Sequence, residues 1–270
     1  MSITDENIDL LLNDIVELYG YDFTLYTKAS LKRRLNRLYT IDAFPSFAEF
    51  RHRIRSDKDY LQRFIEQITV NVTEMFRDPY FYQALRNDIL PMLATSPYIK
   101  IWHAGCSTGE EVFSVAILLK ELNLLHKSII YATDINPNVL EKMASGIFPL
   151  TYMKLYSENY IAAGGTKDFS TYYTAKYDKA ILDNELIQNM VHSTHNLVSD
   201  GSFNEFNLIL CRNVLIYFDK PLQDRVFRLF DGSLAKLGYL CLGSKETLKF
   251  SDINSNYQQH KKEKIWRKIK

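Results

Sequence analysis

Four stretches of the chain combine residue types that can do chemistry. The first is Ile101-Trp102-His103-Ala104-Gly105-Cys106-Ser107-Thr108-Gly109-Glu110-Glu111, where an apolar run enters a turn with two glycines and leaves it through two glutamates. Glycine permits left-handed backbone and close approach of a ligand, so Gly105 and Gly109 fit a binding turn between a strand and a helix. The spacing is not the Gly-x-Gly-x-x-Gly of dinucleotide folds, and the Lys-Ser/Thr of a phosphate-cradling loop is missing. Two glutamates repel a pyrophosphate and attract a cation. A plain strand-to-helix turn with acids favoured by the helix dipole is the competing reading.

The second stretch, Tyr131-Ala132-Thr133-Asp134-Ile135-Asn136, ends a second apolar run on an acid. An acid at that place can accept hydrogen bonds from both hydroxyls of a ribose. Capping of the next helix is the alternative, although Asn136 before Pro137 can do that equally well. An adenosine that also carries an ammonium and a sulfonium, as S-adenosylmethionine does, satisfies both stretches. The third stretch is Asn71-Val72-Thr73-Glu74-Met75-Phe76-Arg77-Asp78-Pro79, a polar cluster between apolar flanks that also reads as a helix start at Pro79. The fourth is Cys211-Arg212-Asn213-Val214-Leu215-Ile216-Tyr217-Phe218, with His195-Asn196-Leu197 before it. Tyr217 is either a channel residue or a core aromatic.

The elements that must position these residues follow from periodicity. Residues 1–70 read as helices. The first carries Ile8, Leu11, Leu12, Ile15 and Leu18/Tyr19 with Asp5 as cap, and the second spans 30–39 on a Leu31, Leu35, Leu38 stripe. Phe47, Phe50 and Ile54 mark a third, and Leu61, Phe64, Ile65 and Ile68 a fourth. From residue 99 strands are expected at 99–103, 128–134, 206–211, 239–243 and 265–269, alternating with helices at 110–122, 137–145 and 221–237. That alternation indicates an α/β domain with a doubly wound, mostly parallel sheet. It lapses over about 148–195, a Tyr-rich stretch with Gly164-Gly165, which reads as an inserted β subdomain. The expected domains are 1–70, helical, and 71–270, catalytic.

Bulk properties narrow the function. The 270 residues are 46% hydrophobic with a net charge of +1, enough for a full core and too neutral for a typical nucleic-acid binder. Cys106, Cys211 and Cys241 lie far apart, which disfavours a zinc site or disulfide scaffold and suits a reducing compartment. The longest apolar run is too short to span a bilayer, and the acid-bearing amino terminus is unlike a signal peptide. A cytoplasmic protein without membrane insertion and without a metal is expected.

Taken together and in this order, the four stretches resemble the CheR family of chemotaxis receptor methyltransferases across nearly the whole chain. The resemblance implies a class I S-adenosylmethionine methyltransferase fold, an amino-terminal helical domain and a small inserted β subdomain. It implies transfer of methyl groups to glutamates on the cytoplasmic domain of methyl-accepting chemotaxis receptors, with S-adenosylhomocysteine as product. Cofactor contacts are implied for Asn71, Thr73, Arg77, Glu110, Asp134, Asn196, Leu197, Arg212 and Asn213. Arg77 and Tyr217 are the residues expected to orient the incoming carboxylate. Arg33, Arg34 and Arg37, with Lys28 and Lys32 beside them, form a basic face expected to meet the acidic receptor; a merely solvated face is the alternative. In some members the β subdomain docks a receptor tail peptide. Leu242-Gly243-Ser244-Lys245-Glu246 is similar to the family's Gly-x-Ser-Glu element with Lys245 interposed, and Asn207 stands where Asp is frequent; neither departure falls on an expected cofactor residue. A same-fold enzyme with another substrate and a cofactor-sensing relative without activity remain as alternatives, although no Asn/Asp-Pro-Pro-Tyr amino-methylating motif is present.

Overall fold

The computed structural model describes residues 3–69 and 72–270, with Lys261 by its backbone alone. Four helices open the chain: α1 (Asp5–Tyr19), α2 (Lys28–Ile41), α3 (Phe47–Ser56) and α4 (Lys58–Ile68). Each start has a chemical cause. Thr4, rather than the expected Asp5, caps α1 by accepting from the Asn7 amide at 3.3 Å, and Asp5 is the first helical residue. Ser46 caps α3 and Asp57 caps α4, each accepting backbone N–H groups that have no partner within the helix. The apolar stripes meet in one core, with Leu11, Ile15, Leu35, Phe50, Phe64 and Ile65 fully buried. Arg51 on α3 grips buried Asp14 on α1 with two guanidinium nitrogens.

A helical segment then runs through α5 (Pro79–Ala84) and a π-type turn to α6 (Leu90–Leu93). The remainder is built on a seven-stranded sheet: β1 (Ile99–Ala104), β2 (Ser128–Asp134), β6 (Met190–Thr194), β7 (Phe206–Cys211), β8 (Leu234–Leu242), β9 (Tyr257–Lys261) and β10 (Ile265–Lys268). The spatial order is β6-β2-β1-β7-β8-β10-β9, with β10 antiparallel to both β8 and β9 and the other pairings parallel. Helices α7 (Glu110–Glu121), α8 (Pro137–Ser145) and α10 (Lys220–Ser233) lie alongside it. α7 is apolar nearly all round, as a helix wedged between sheet and insertion must be. One core forms around α5, α7 and the insertion, and a second around Trp102, Phe206, Phe227 and Trp266.

Three boundaries differ from expectation. The helix expected over 221–237 ends at Ser233, whose hydroxyl donates back to the Leu229 carbonyl at 2.7 Å. Leu234 already pairs with Phe206, and the register then slips through a bulge where Leu237 takes φ +66°. The bulge breaks the alternating pattern, so helix and strand were indistinguishable there by period. The inserted sheet consists of β3 (Ile147–Pro149), β4 (Tyr173–Lys176) and β5 (Lys179–Leu182) in the order β3-β5-β4, with a helix, α9 (Met153–Ala162), in the connection. β6 belongs to the main sheet instead, pairing with β2 from Ile130↔Met190 to Asp134↔Thr194. The insertion therefore closes before residue 190, not at 195. β6 is an edge strand with residues 191–194 exposed, which removes its hydrophobic signal.

The helical part joins the sheet domain through backbone. The Thr27 amide donates to the Tyr217 carbonyl and the Asp219 amide to the Leu25 carbonyl, both at 2.9 Å, flanking a Tyr26↔Phe218 bridge.

Candidate active site

A cleft enclosing about 1010 Å³ of empty space, open mouth included, lies beyond the carboxyl ends of β1, β2 and β7. Parallel strands deliver loops and helix amino termini to that edge, so ligands bind there. Its floor is the turn after β1. Gly105 has φ +77°, and a Cβ there would come within 2.6 Å of a Val214 methyl, so only glycine fits without displacement. The Gly105 and Cys106 amides donate to the Thr133 carbonyl at 2.8 and 2.9 Å, and the Ser107 amide donates to an Asp134 carboxylate oxygen at 2.9 Å. The Asn136 amide donates to the other Asp134 oxygen at 3.0 Å. Asp134 thus ties the turn to the end of β2, while each oxygen retains acceptor capacity for a ligand. Burial pushes its carboxyl pKa up, against the pull of these amides.

The two glutamates of α7 separate. Glu110, expected at the cofactor, is not part of the cleft wall: its carboxylate turns behind the turn, accepting from the Thr108 hydroxyl at 2.6 Å and the Tyr156 hydroxyl at 3.4 Å. Burial raises its pKa. Glu111 lines the cleft in its stead. The physical reason is helical rotation of about 100° per residue, which sends adjacent side chains to different faces. One Glu111 oxygen is 3.0 Å from His103 Nδ1, and the other accepts from Arg212 Nη1 at 3.1 Å. Burial pushes this carboxyl up, but the His103 bond and the Arg212 guanidinium outweigh it and hold it below the ordinary glutamate value.

Arg212 lines the cleft but is already engaged. Its Nη2 donates to Asp78 at 2.7 Å, and its guanidinium lies 3.9 Å from the centre of the Phe81 ring. Asn213, at φ +62°, turns its amide to Glu246 at 3.0 Å, and Glu246 also accepts from Gly243 at 2.5 Å and Ile216 at 3.3 Å. The Gly243-to-Glu246 element therefore bears on the site after all, since Glu246 braces the loop that carries Asn213.

Thr73, Arg77, Asn196, Leu197 and Tyr217 also line the cleft. Asn71 lies outside the described residues. Arg34 separates from the basic face on which it was expected: its guanidinium sits 4.7 Å from the centre of the Tyr217 ring, donates to the Ile68 carbonyl and faces the cleft. Arg33 and Arg37 are exposed. Lys28 and Lys32 are paired with Asp9 and Asp5 at 3.1 and 2.7 Å, so the free charge of that face is smaller than its composition implies. Tyr26 and Glu74 line the cleft without having been singled out. Nothing in the local sequence marks Tyr26, a single aromatic in a connecting loop.

A sheet of this order with an antiparallel β10, a Gly105 turn and an acid ending β2 defines a class I S-adenosylmethionine-dependent methyltransferase. The chain belongs to the CheR methyltransferase family: the family's SAM-binding domain matches residues 71–265 and its all-alpha domain residues 6–69. The Pseudomonas putida protein named "Putative methyltransferase Cher3" is 46% identical over 267 residues, covering 98% of this chain and 97% of its own. The "Chemotaxis protein methyltransferase" of Borreliella burgdorferi is 29% identical over 92% of this chain and 90% of its own. "Chemotaxis protein methyltransferase 2" of Pseudomonas aeruginosa is 32% identical over 82% and 77%. The residues present fit S-adenosylmethionine: acids at Glu111 and Asp134 suit its ammonium and its ribose, and the bare Gly105 backbone leaves room beside them. Among the described residues no helix is long and apolar enough to cross a membrane, and no group of side chains is arranged to hold a metal ion.

Proposed function

We propose that this protein methylates glutamate side chains on the cytoplasmic domain of chemotaxis receptors, forming glutamate methyl esters and S-adenosylhomocysteine. The carrying observation is the charge layout of one cleft, with acids at Glu111 and Asp134 and cations at Arg34 and Arg77. Acids suit a cationic cofactor, and cations suit an anionic acceptor. The relatives named as chemotaxis methyltransferases support the same reading.

S-adenosylmethionine supplies, when bound, an electrophilic methyl group on its sulfonium. Asp134 accepts from the ribose hydroxyls, and Glu111 offers a carboxylate to the ammonium. Asn196, Leu197 and Thr73 complete the cofactor side. Arg212 and Asn213, which also line the cleft, belong to the same side, the first also fixing Glu111 and the second shaping the loop. Glu110 holds the turn from behind through Thr108. No base is needed for the acceptor, because an ordinary glutamate side chain titrates at about 4.3 and is ionised at neutral pH. The enzyme's task is desolvation and alignment, and holding reactants in attack geometry supplies roughly 7–11 kcal/mol. Arg77 and Tyr217 orient the carboxylate, and Arg34, stacked on Tyr217, lowers the cost of stripping its water. Arg33 and Arg37 meet acidic receptor surface outside the cleft.

The test is transfer of a labelled methyl group from S-adenosylmethionine to a purified receptor cytoplasmic fragment. The label should be released as methanol by mild base, because esters hydrolyse where methylated amines do not. Label that resists base, or that enters RNA or small metabolites in place of receptor, overturns this assignment.

A further inference from the structure

Behind the cleft wall lies a chain of buried polar groups that cofactor contact alone does not explain. His103 occupies β1 with no exposed surface, between apolar strand neighbours. Its Nδ1 is 3.0 Å from Glu111, while its Nε2 has no partner among the described residues. An ionised carboxylate only accepts, so Nδ1 supplies the proton of that bond, and Nε2 is left without a hydrogen-bond partner. A buried imidazole with one unsatisfied nitrogen costs stability relative to an apolar residue of similar size. That cost is incurred near the carboxyl end of β1, on the face shared with the apolar Ile99 and Ile101. The one group that benefits is Glu111.

Glu111 is clamped from both sides, by His103 on one oxygen and by Arg212 on the other, and Arg212 is in turn held by Asp78 and the Phe81 ring. Without His103, the carboxylate would be free to swing toward Arg212 as a bidentate pair, the arrangement guanidinium prefers. In that arrangement its charge would be spent inside the wall and would not face the cleft. We infer that His103 is a positioning residue: by binding one Glu111 oxygen it prevents closure of the Glu111–Arg212 pair and keeps the carboxylate presented to the cofactor's α-ammonium. Buried groups that orient a ligand-binding side chain in this way govern ligand affinity without touching the ligand. The inference rests on the reading that Glu111 meets the ammonium.

The test uses the full chain and compares calorimetric affinity for S-adenosylhomocysteine with that for its deamino analogue, which lacks only the α-amino group. In the wild type the amino compound should bind at least about tenfold more tightly, the weight of a charge-assisted hydrogen bond, and Glu111→Gln should abolish that preference. His103→Leu should cut the preference about tenfold or more while leaving affinity for the deamino analogue near wild type. His103→Asn places an amide donor close to the position of Nδ1 and should restore the preference. A second readout needs no variant: nitrogen NMR should find the His103 proton on Nδ1, and its resonance should move with S-adenosylhomocysteine and not with the deamino analogue. If Glu111→Gln removes the preference and His103→Leu does not, or if the proton sits on Nε2, the positioning role is overturned. If the wild type shows no preference, the Glu111 reading itself fails.

Discussion

Asp134 holds two jobs in one side chain, and that sets what its replacement does. Its oxygens brace the Ser107 and Asn136 amides while facing the cleft. Asp134→Ala should weaken S-adenosylhomocysteine binding by roughly 1.5–3 kcal/mol, the range for hydrogen bonds to a charged group, and should also loosen the turn. Asp134→Asn keeps one accepting oxygen and should lose less. Calorimetry on both variants checks this, and an unchanged dissociation constant for Asp134→Ala would reduce Asp134 to a scaffold role. The position of Asp134 at the end of β2 was legible because a strand–helix–strand unit imposes its distance from Gly105. The choice between Glu110 and Glu111 was not legible. Neighbours on a helix differ only in azimuth, and the start of α7 after Gly109, at φ +93°, sets that azimuth through tertiary packing. Tyr26 was illegible for a related reason, since its place in the cleft depends on backbone pairing with Phe218, far away in sequence.

Among the elements, α2 divides its arginines between two tasks. Arg34 faces the cleft, and Arg33 and Arg37 face outward. Steering between opposite charges acts on association and fades with salt. Replacing Arg33 and Arg37 with Ala should therefore slow receptor methylation at low salt, spare cofactor affinity, and leave a rate that salt depresses much less than in the wild type. Arg34→Ala should instead lower turnover with wild-type salt sensitivity. Equal salt slopes for wild type and the double variant would move the receptor contact elsewhere. The spacing of Leu31, Leu35 and Leu38 made the buried side of α2 legible, but three arginines within five residues looked alike until Tyr217 claimed one of them. The α1–α3 clamp gives a prediction in pH. The bond from Arg51 holds the Asp14 carboxyl below its usual 3.8, against the opposing effect of burial. A lowered folded pKa contributes stability that is present above the unfolded value and lost as pH falls through the folded one. Asp14→Asn should cost about 1 kcal/mol at neutral pH and progressively less below about pH 4, read as the gap between the two chemical denaturation midpoints. A gap that stays constant down to pH 2 would assign the effect to packing.

At the scale of the whole molecule, the helical part and the sheet part share one cleft. Tyr26 and Arg34 come from the first, and Asp134, Glu111, Arg212 and Tyr217 from the second. The α/β architecture was legible because central strands are mostly apolar and helices follow them at regular spacing. The edges of the sheet were not: β6 and β9 are short edge strands, where solvent on one side erases the hydrophobic pattern. The same limit hid the end of the insertion, whereas the start of β8, an interior strand, was hidden by its bulge. A cofactor bound where two parts of the chain meet should stabilise both together, because only the assembled fold presents the full site.

The most direct measurement is titration of the purified chain with S-adenosylhomocysteine, followed by thermal unfolding across ligand concentration. Binding should saturate at one equivalent, and a single unfolding transition should rise with ligand. The gain should reach about 2.7 kcal/mol at 100 times the dissociation constant. Glu111→Gln and Asp134→Ala should each weaken the binding. No heat of binding and a melting temperature unchanged at saturating ligand would contradict the assignment of this cleft as the cofactor site.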